Sequence, residues 1–520
     1  MAFLSRIMGV QIGILITRKG NVEYVVAGEA RSIPIPRLQR VRMHPGRLQG
    51  LRFIHTHLEN VGLSTEDLTD LAKLRLDMMY AITVSEDGKP TLAYGAHLLP
   101  QNHSSKPWKV LEPSHVQNVD IPFDRFIREL EDSIYRSHAV KKVDISEDRA
   151  ILIATFPNIT DKSRIQMQEL EALTLSAGIH VLDKVIQRRP KPDPRLIVGK
   201  GKLNEIVINA LAMDANLLVF NQELSPSQSR AISDFSDLRV IDRTQLILDI
   251  FAKRAKTKEG KIQVELAQLK YAMPRLVGAR PALSRLAGGI GTRGPGETKL
   301  EIDRRRAKER ISRLEHEIKR ISKKRGVTRE KRSKNHVPVV SIIGYTNTGK
   351  STLLNTLTRG KVFTADMPFA TLDPSSKRLR FPRDLDVIIT DTVGFLRELP
   401  EELKKAFMAT LEELNNADLL LEVIDLSDPD IEGKMLAVDK ILEGLSLQSK
   451  PRIKVFNKSD KVDEEMANAY ATRYNGCVIS AINRPTLKPL VERIQEFFLG
   501  TLTTSVTRDK TNADTRQDGP

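Results

Sequence analysis

Cysteine is almost absent from this chain: Cys477 is the one thiol in 520 residues. That excludes a disulfide framework and a cysteine zinc cluster, and it fits a reducing, cytoplasmic compartment. Long hydrophobic runs are missing as well, none approaching the roughly 18 residues of a membrane span. No small-residue cleavage site follows the apolar stretch "IMGVQIGILI", which runs into "TRKG", so a strand is expected there and not a signal peptide. Acidic residues are too few to balance the basic ones: 66 Asp and Glu against 82 Lys and Arg leave a net charge of +16.

The surplus is concentrated. From Arg304 to Asn335, fifteen Lys and Arg meet four Glu (Glu309, Glu315, Glu317 and Glu330). A solvated helix face normally mixes its signs. So one-sided a segment suits phosphate, and contact with RNA or a ribosome is expected there.

The stretch that carries most chemistry is "GYTNTGKST", Gly344 to Thr352, placed directly after the apolar run "VPVVSII". It has the form G-x-x-x-x-G-K-S between a strand and the helical "STLLNTLTRG". Such a turn points consecutive N–H groups and the positive end of a helix at one spot, where phosphate oxygens are stabilised. Gly344, Tyr345, Thr346, Asn347, Thr348 and Gly349 would form the cradle. Lys350 would reach the β- and γ-phosphates, and the Ser351 hydroxyl would sit on Mg²⁺.

A second apolar strand, "DVIIT", leads into "DTVG". Asp391 at its end is expected to hold Mg²⁺ through water, with Thr392 and Val393 alongside and the Gly394 N–H meeting a γ-phosphate. A third, "IKVFNKSD", places Asn457, Lys458, Ser459 and Asp460 at a strand end. A carboxylate there accepts hydrogen bonds from guanine N1–H and its exocyclic amine, and adenine offers neither, so Asp460 with Asn457 selects GTP. "CVISA" is read as a strand ending in Ser480 and Ala481, whose amides, with Ile482 beside them, would receive the guanine O6. In "PFATLDPSS", Thr371 is the hydroxyl expected to close on Mg²⁺ when a γ-phosphate is present, with Phe369, Ala370, Leu372 and Asp373 around it. Lys350, Thr371 and Gly394 are the expected catalytic set.

One group is missing. Ras-like proteins carry a water-orienting glutamine just after the "DxxG" glycine, and here that position is Phe395. Slow intrinsic hydrolysis is expected, with the missing group supplied by a partner surface or else by another residue in cis.

Two apolar seams precede this domain. Leu300, Ala307, Leu314 and Ile321 repeat every seven, with Ile311 and Ile318 between them, and Ile262, Leu266, Leu269, Met273 and Leu276 make a matching set. Two antiparallel helices are expected, joined through the glycine-rich "GGIGTRGPGE" that carries Arg293. Residues 148 to 250 read as a further α/β unit, with strands "RAILIATF", "IHVLDKVI", "NLLVFN" and "LRVIDR". Gly199 and Gly201 there do not match a dinucleotide loop, so no second nucleotide site is expected.

Taken together, "QRRPKPDPRLIVGKGK", "GGIGTRGPGETKLEIDRRR", "GYTNTGKSTLLN", "FATLDPSS" and "DTVGFLRELP" resemble the HflX family of translational GTPases over about residues 148 to 500. The resemblance implies a multidomain α/β protein that binds the large (50S) ribosomal subunit and its ribosomal RNA. It implies ribosome-stimulated GTP hydrolysis coupled to ribosome splitting, rescue or subunit biogenesis. The glycine-rich loop and basic helix, with Arg293, Arg304, Arg305 and Arg306, would enter the peptidyl-transferase region. Phe395 agrees with the family pattern.

The expected domains are 1–140 (an added α+β region with linker), 148–255, 256–335 (the helical hairpin), 336–500 (the P-loop domain) and a disordered tail, 501–520. A cytoplasmic monomer is expected. In the added region "VQIGILIT", "VEYVVAG" and "LRFIHTH" are strand-like, "EDLTDLAKLRLDMMYA" is helical, and residues 101 to 123 read as linker. "HTHLENVGLSTED" places His55 and His57 on one side of a strand, with Ser64 and Asp67 beyond. Two such histidines and a later carboxylate could bind zinc. The pattern resembles the H-x-H…S-x-x-D signature of JAMM/RadC-type folds, but Leu58 stands where a proline belongs and the spacing to Asp67 is one residue short, so a fold relic or a structural histidine pair is the other reading. Two alternatives accompany the main reading: a metal-dependent hydrolase at the N-terminus regulated by the GTPase, and an RNA-binding assembly module.

Overall fold

The computed structural model describes residues 1–36, 47–100, 107–140, 148–236, 238–276, 295–333, 337–358, 375–381, 385–391, 394–395 and 412–499. Phe369 to Asp373, Thr392, Val393, Arg293, the glycine-rich loop before Pro295 and the tail after 499 lie outside them. By packing, the chain divides into two compact units, residues 1–167 with 178–242, and residues 168–177 with 243–520.

The first unit opens with helix α1 (Ala2–Met8), so the expected N-terminal strand begins later, at β1 (Ile12–Thr17). With β2 (Val22–Ala27), β3 (Leu51–His57), β4 (Met78–Val84), β5 (Pro90–Leu98), β6 (Trp108–Val110) and β7 (Ser114–His115) it forms a mixed sheet of order β2-β1-β3-β4-β5-β6, β7 pairing with β5. Two expectations are corrected here. Helix α2 (Thr65–Lys73) stops before Arg75, whose φ of 49° leaves the helical region, and "MMYAITV" becomes β4 between β3 and β5. Its aromatic Tyr80 and the β-branched Ile82, Thr83 and Val84 suit a buried strand better than one helix face. The segment expected as a linker adds two short strands to β5, because the indole of Trp108 is 7% exposed and finds its cover in the apolar core beneath the sheet. Helix α3 (Phe123–Val140) follows and buries Ile127, Leu130 and Ile134 in that core.

The same unit holds a parallel sheet of order β11-β10-β8-β9, from β8 (Arg149–Phe156), β9 (His180–Arg188), β10 (Leu217–Phe220) and β11 (Arg239–Asp242). Strands β8 and β10 are buried on both faces, which parallel strands covered by helices require. Helices α4 (Asp161–Ser176), α5 (Lys200–Met213) and α6 (Pro226–Ser236) follow β8, β9 and β10 in the chain, and from Gln168 onward α4 belongs to the second unit.

The second unit contains α7 (Arg243–Arg254), α8 (Lys258–Leu276) and the 39-residue α9 (Pro295–Ser333). Ile262, Leu266 and Leu314 are buried between α8 and α9, and Leu269, Ile311, Ile318 and Ile321 pack on them. The ion pairs run in opposite order along the two helices: Lys258 meets Glu317, and Glu265 meets Arg310. The pair is therefore antiparallel. Arg304, Arg305 and Arg306 are exposed on α9.

The remaining sheet has the order β13-β14-β12-β15-β16-β17. Its strands are β12 (Val339–Gly344), β13 (Ser375–Phe381), β14 (Leu385–Asp391), β15 (Leu419–Asp425), β16 (Arg452–Asn457) and β17 (Cys477–Val478). All neighbours are parallel except β13 with β14. Helices α10 (Lys350–Thr358), α11 (Ile431–Gly444) and α12 (Glu464–Tyr474) accompany it. Val340, Ile342, Leu421, Val423 and Val455 are at most 1% exposed, and burial of each such side chain is worth about 1.5–3 kcal/mol against the cost of ordering it. The expected strand "CVISA" is shorter than its apolar pattern suggests, since β17 ends at Val478 and Ser480 and Ala481 follow in the loop.

Candidate functional site

Strands β14, β12, β15 and β16 lie side by side and in parallel, so their carboxyl ends form one crest. In an open α/β sheet this crest is where ligands are received, because the loops leaving the strands open there. Gly344 ends β12, Asp391 ends β14, Asp425 ends β15 and Asn457 ends β16. Three sequence-distant motifs thereby meet.

The loop from Gly344 to Lys350 is held largely by its own groups. Thr348 Oγ1 donates to the Tyr345 carbonyl at 3.1 Å, and Lys350 Nζ donates to the same oxygen at 2.6 Å. Asn347 adopts φ 63° and Gly349 φ 91°. A Cβ at Gly349 would sit 2.3 Å from Asn457 Nδ2, so the glycine is demanded by the approach of a side chain from another strand as well as by its φ. Asn457 Nδ2 donates to the Thr348 carbonyl at 2.8 Å, and Asn457 Oδ1 accepts from the Ala481 N–H at 2.8 Å. One buried amide thus ties together the glycine-rich loop and the loop after β17.

Ser351 Oγ donates to Asp391 Oδ2 at 2.7 Å. Two oxygen donors at that separation, one anionic, are the donor type a hard divalent cation prefers. Lys350 is buried, and burial pushes its ammonium down to about 8 against the opposing pull of Asp391. The backbone at Gly394 runs close by: a Cβ there would be 2.9 Å from Thr346 Cα and 3.0 Å from Lys350 Nζ. Phe395 N–H donates to the Gly344 carbonyl at 3.0 Å and its carbonyl accepts from Thr346 N–H at 2.9 Å. The Phe395 ring is 1% exposed, packed with Ile343, Leu414 and Leu420. It is a core residue and orients no water.

On the other side, Ser480 Oγ donates to Asp460 Oδ1 at 2.5 Å. Lys458, at φ 65°, places Nζ 2.7 Å from Asp425 Oδ2. Ser459 N–H donates to the Ile479 carbonyl. Ala481 is buried while Ile482 is 75% exposed. Thr356 Oγ1 on α10 donates to the Ala481 carbonyl at 2.6 Å, holding this loop against the first helix after the P-loop. Sequence reasoning missed Thr356 and Asp425, and also Glu169 and Arg243, which join Tyr345 through a shared carboxylate. No local pattern announces such partners.

His55, His57 and Asp67 belong to the other unit. Neither they nor the exposed Arg304 to Arg306 take part in this crest.

Residues 339–458 match the family model described as a 50S ribosome-binding GTPase. Residues 164–252 match the N-terminal region, and residues 254–332 the middle region, of a GTP-binding GTPase. A GTP-binding protein from Sulfolobus solfataricus, solved in complex with GDP, is 24% identical, covers 67% of this chain and 98% of its own, and superposes with a TM-score of 0.37. The GTPase HflX of Escherichia coli is 45% identical over 304 residues, 58% of this chain and 71% of that protein. The GTPase HflX of Caldanaerobacter subterraneus subsp. tengcongensis is 46% identical over 349 residues, 67% of this chain and 80% of that protein. With four-fifths of such a relative covered at this identity, the chain belongs to the HflX family of GTPases.

Proposed function

We propose that this GTPase binds GTP on the crest around Gly344 to Ser351 and hydrolyses it when seated on the large ribosomal subunit. The observation that carries the reading is Asn457, which joins the glycine-rich loop to the loop that follows β17. A phosphate cradle and a base-reading edge are thereby held in one frame.

The roles follow from position. N–H groups of Tyr345 to Lys350, with the amino end of α10, receive phosphate oxygens, and Lys350 supplies the point charge. Asp460 accepts from guanine N1–H and the exocyclic amine, which adenine cannot offer. Ser459, Ser480 and Ala481 line the same edge. Mg²⁺ fits the oxygen pair of Ser351 and Asp391, the first directly and the second through water, and when bound it neutralises charge on the β- and γ-phosphates. Thr371, outside the described residues, completes that set, and Phe369, Ala370, Leu372, Asp373, Thr392 and Val393, also outside them, border the nucleotide. The Gly394 N–H meets the γ-phosphate.

The buried Phe395 supports the view that the water-orienting group comes from a partner. The exposed arginines 304 to 306 on a helix with a strong basic surplus supply the RNA-facing surface, with Arg293 beyond the described residues. Among the described residues no helix is long and apolar enough to cross a membrane. We place the protein in the cytoplasm, on ribosomes.

The deciding experiment is GTP hydrolysis by the full chain, alone and with 50S subunits, over a salt series. Strong stimulation is expected. Replacing Arg304, Arg305 and Arg306 with Ala should make the salt dependence of binding shallower, its logarithmic slope falling by roughly 0.7–0.9 for each phosphate that an arginine no longer neutralises. Binding to 50S without any stimulation overturns the reading.

A further inference from the structure

Residues 51 to 67 precede every segment matched by the family models, yet they hold a side-chain cluster that the GTPase reading leaves unused. His55 and His57 are on β3, 0% and 4% exposed. Their Nε2 atoms lie 3.0 Å apart. Asp67, in the first turn of α2, brings Oδ1 to 3.5 Å from His55 Nε2 and Oδ2 to 3.6 Å from His57 Nε2. One donor atom from each residue can be chosen so that all lie within 4.8 Å of one another.

Local structure aims these atoms. Alternation along β3 puts both imidazoles on one face. His57 Nδ1 is 3.0 Å from the Val61 carbonyl, which can only accept, so Nδ1 carries the hydrogen and the Nε2 lone pair points inward. A backbone carbonyl on the far nitrogen is the usual support of a metal-binding histidine. The His55 ring is fixed by stacking on Phe53, with centroids 5.0 Å apart. Asp67 is held by a reciprocal cap: Ser64 N–H donates to Asp67 Oδ2 at 2.7 Å, and Asp67 N–H donates to Ser64 Oγ at 3.1 Å.

Helix capping holds Asp67, and the two imidazoles hydrogen-bond to each other through Nε2, an arrangement that a shared cation would replace. Two buried imidazoles side by side on a core strand displace the apolar residues that such positions favour. We propose that His55 Nε2, His57 Nε2 and an Asp67 carboxylate oxygen bind a single zinc-class divalent cation, leaving a fourth position for water.

Two imidazole nitrogens and one carboxylate oxygen are the donor set of a zinc site that keeps a position open for water. The short separations engage both carboxylate oxygens, His55 Nε2 meeting Oδ1 and His57 Nε2 meeting Oδ2. The ion would clamp β3 to the start of α2, two elements joined otherwise by the loop from Leu58 to Ser64.

The test uses the untagged full chain without nucleotide, loaded with zinc, freed of excess by gel filtration and assayed for metal. About one zinc per chain is expected, with a rise of several degrees in the unfolding midpoint, since a ligand of the folded state stabilises it. Cobalt(II) in the same site should give the visible absorption of a tetrahedral ion. Asp67→Asn keeps an oxygen for the Ser64 cap and tests the ligand without removing the cap, and His57→Ala tests the ring. Both should abolish the thermal shift and reduce bound zinc to about a tenth or less. If His57→Ala fails to fold, Asp67→Asn and cobalt absorption decide. A wild-type chain that retains no zinc, an Asp67→Asn chain that binds it as tightly as wild type, or uptake of iron(II) with exclusion of zinc each overturns the proposal.

Discussion

The Tyr345 hydroxyl donates to Glu169 Oε1 at 2.5 Å, and that same oxygen lies 3.2 Å from Arg243 Nη2. Tyr345 is the second residue of the glycine-rich loop, Glu169 is on α4 and Arg243 opens α7. The P-loop is therefore anchored outside its own domain sheet by one shared carboxylate. Tyr345→Phe should cost about 1.5–3 kcal/mol, the value of a hydrogen bond to a charged group. Glu169→Gln should cost a similar amount, and the double mutant less than the two together, by about 1 kcal/mol. Urea denaturation of the four proteins measures this, and strictly additive losses would sink the link.

Lys350 gives a pH prediction with a definite sign. Its ammonium is pushed down to about 8 by burial. Below that pH it is charged and ready for phosphate; above it, binding GTP requires uptake of a proton. The GTP dissociation constant should hold level from pH 6.5 to 7.5 and rise between pH 8 and 9.5, approaching tenfold per unit. Lys350→Met should weaken binding at every pH and remove the slope in this range. Equilibrium binding of a fluorescent GTP analogue reads both, and a flat wild-type curve contradicts the assignment.

Asp460 tests base recognition by exchange of partners. Asp460→Asn replaces one acceptor with a donor, which suits a base bearing a carbonyl where guanine has its amine. GTP affinity should fall by at least about 100-fold, while XTP should bind better than to the parent chain. Competition binding decides, and a variant that still prefers GTP rules out this role.

Glu422 concerns stability alone. It is 1% exposed on β15, with no hydrogen bond to either carboxylate oxygen, and Arg452 Nη1 lies 3.2 Å away. Burial pushes its carboxyl up to about 7, against the pull of Arg452. A raised carboxyl pKa means that the folded state holds the proton longer than the unfolded chain, so stability falls as pH rises from about 4.5 to 7 and stays lower above. Glu422→Gln should raise the unfolding midpoint at pH 8, by an amount corresponding to roughly 3 kcal/mol at the upper bound, and change it little at pH 4.5. A variant equally stabilised at both pH values would show that charge is not the cause.

Local features are legible in the residues alone. "VPVVSII" followed by "GYTNTGKST" specifies a buried strand, a tight turn and a helix, because alternation, glycine and helix start all act within a few residues. The seams of α8 and α9 are legible for the same reason, since Ile262, Leu266 and Leu269 on one helix and Ile311, Leu314, Ile318 and Ile321 on the other repeat at helix spacing. Even the position of Asp391 at a strand end follows from an apolar run that stops there.

Other features exist only once the chain has packed. "MMYAITV" is β4 because β3 and β5 flank it, an environment that outweighs local helical character. Trp108 turns an apparent linker into strand because its indole is buried in the core beneath the sheet. Asn457 meets Thr348 across 109 residues, and Tyr345 meets Glu169 across 176. Such pairings leave no periodic trace in the chain, because they depend on strand order and on which side chains the packed sheet brings within hydrogen-bond reach.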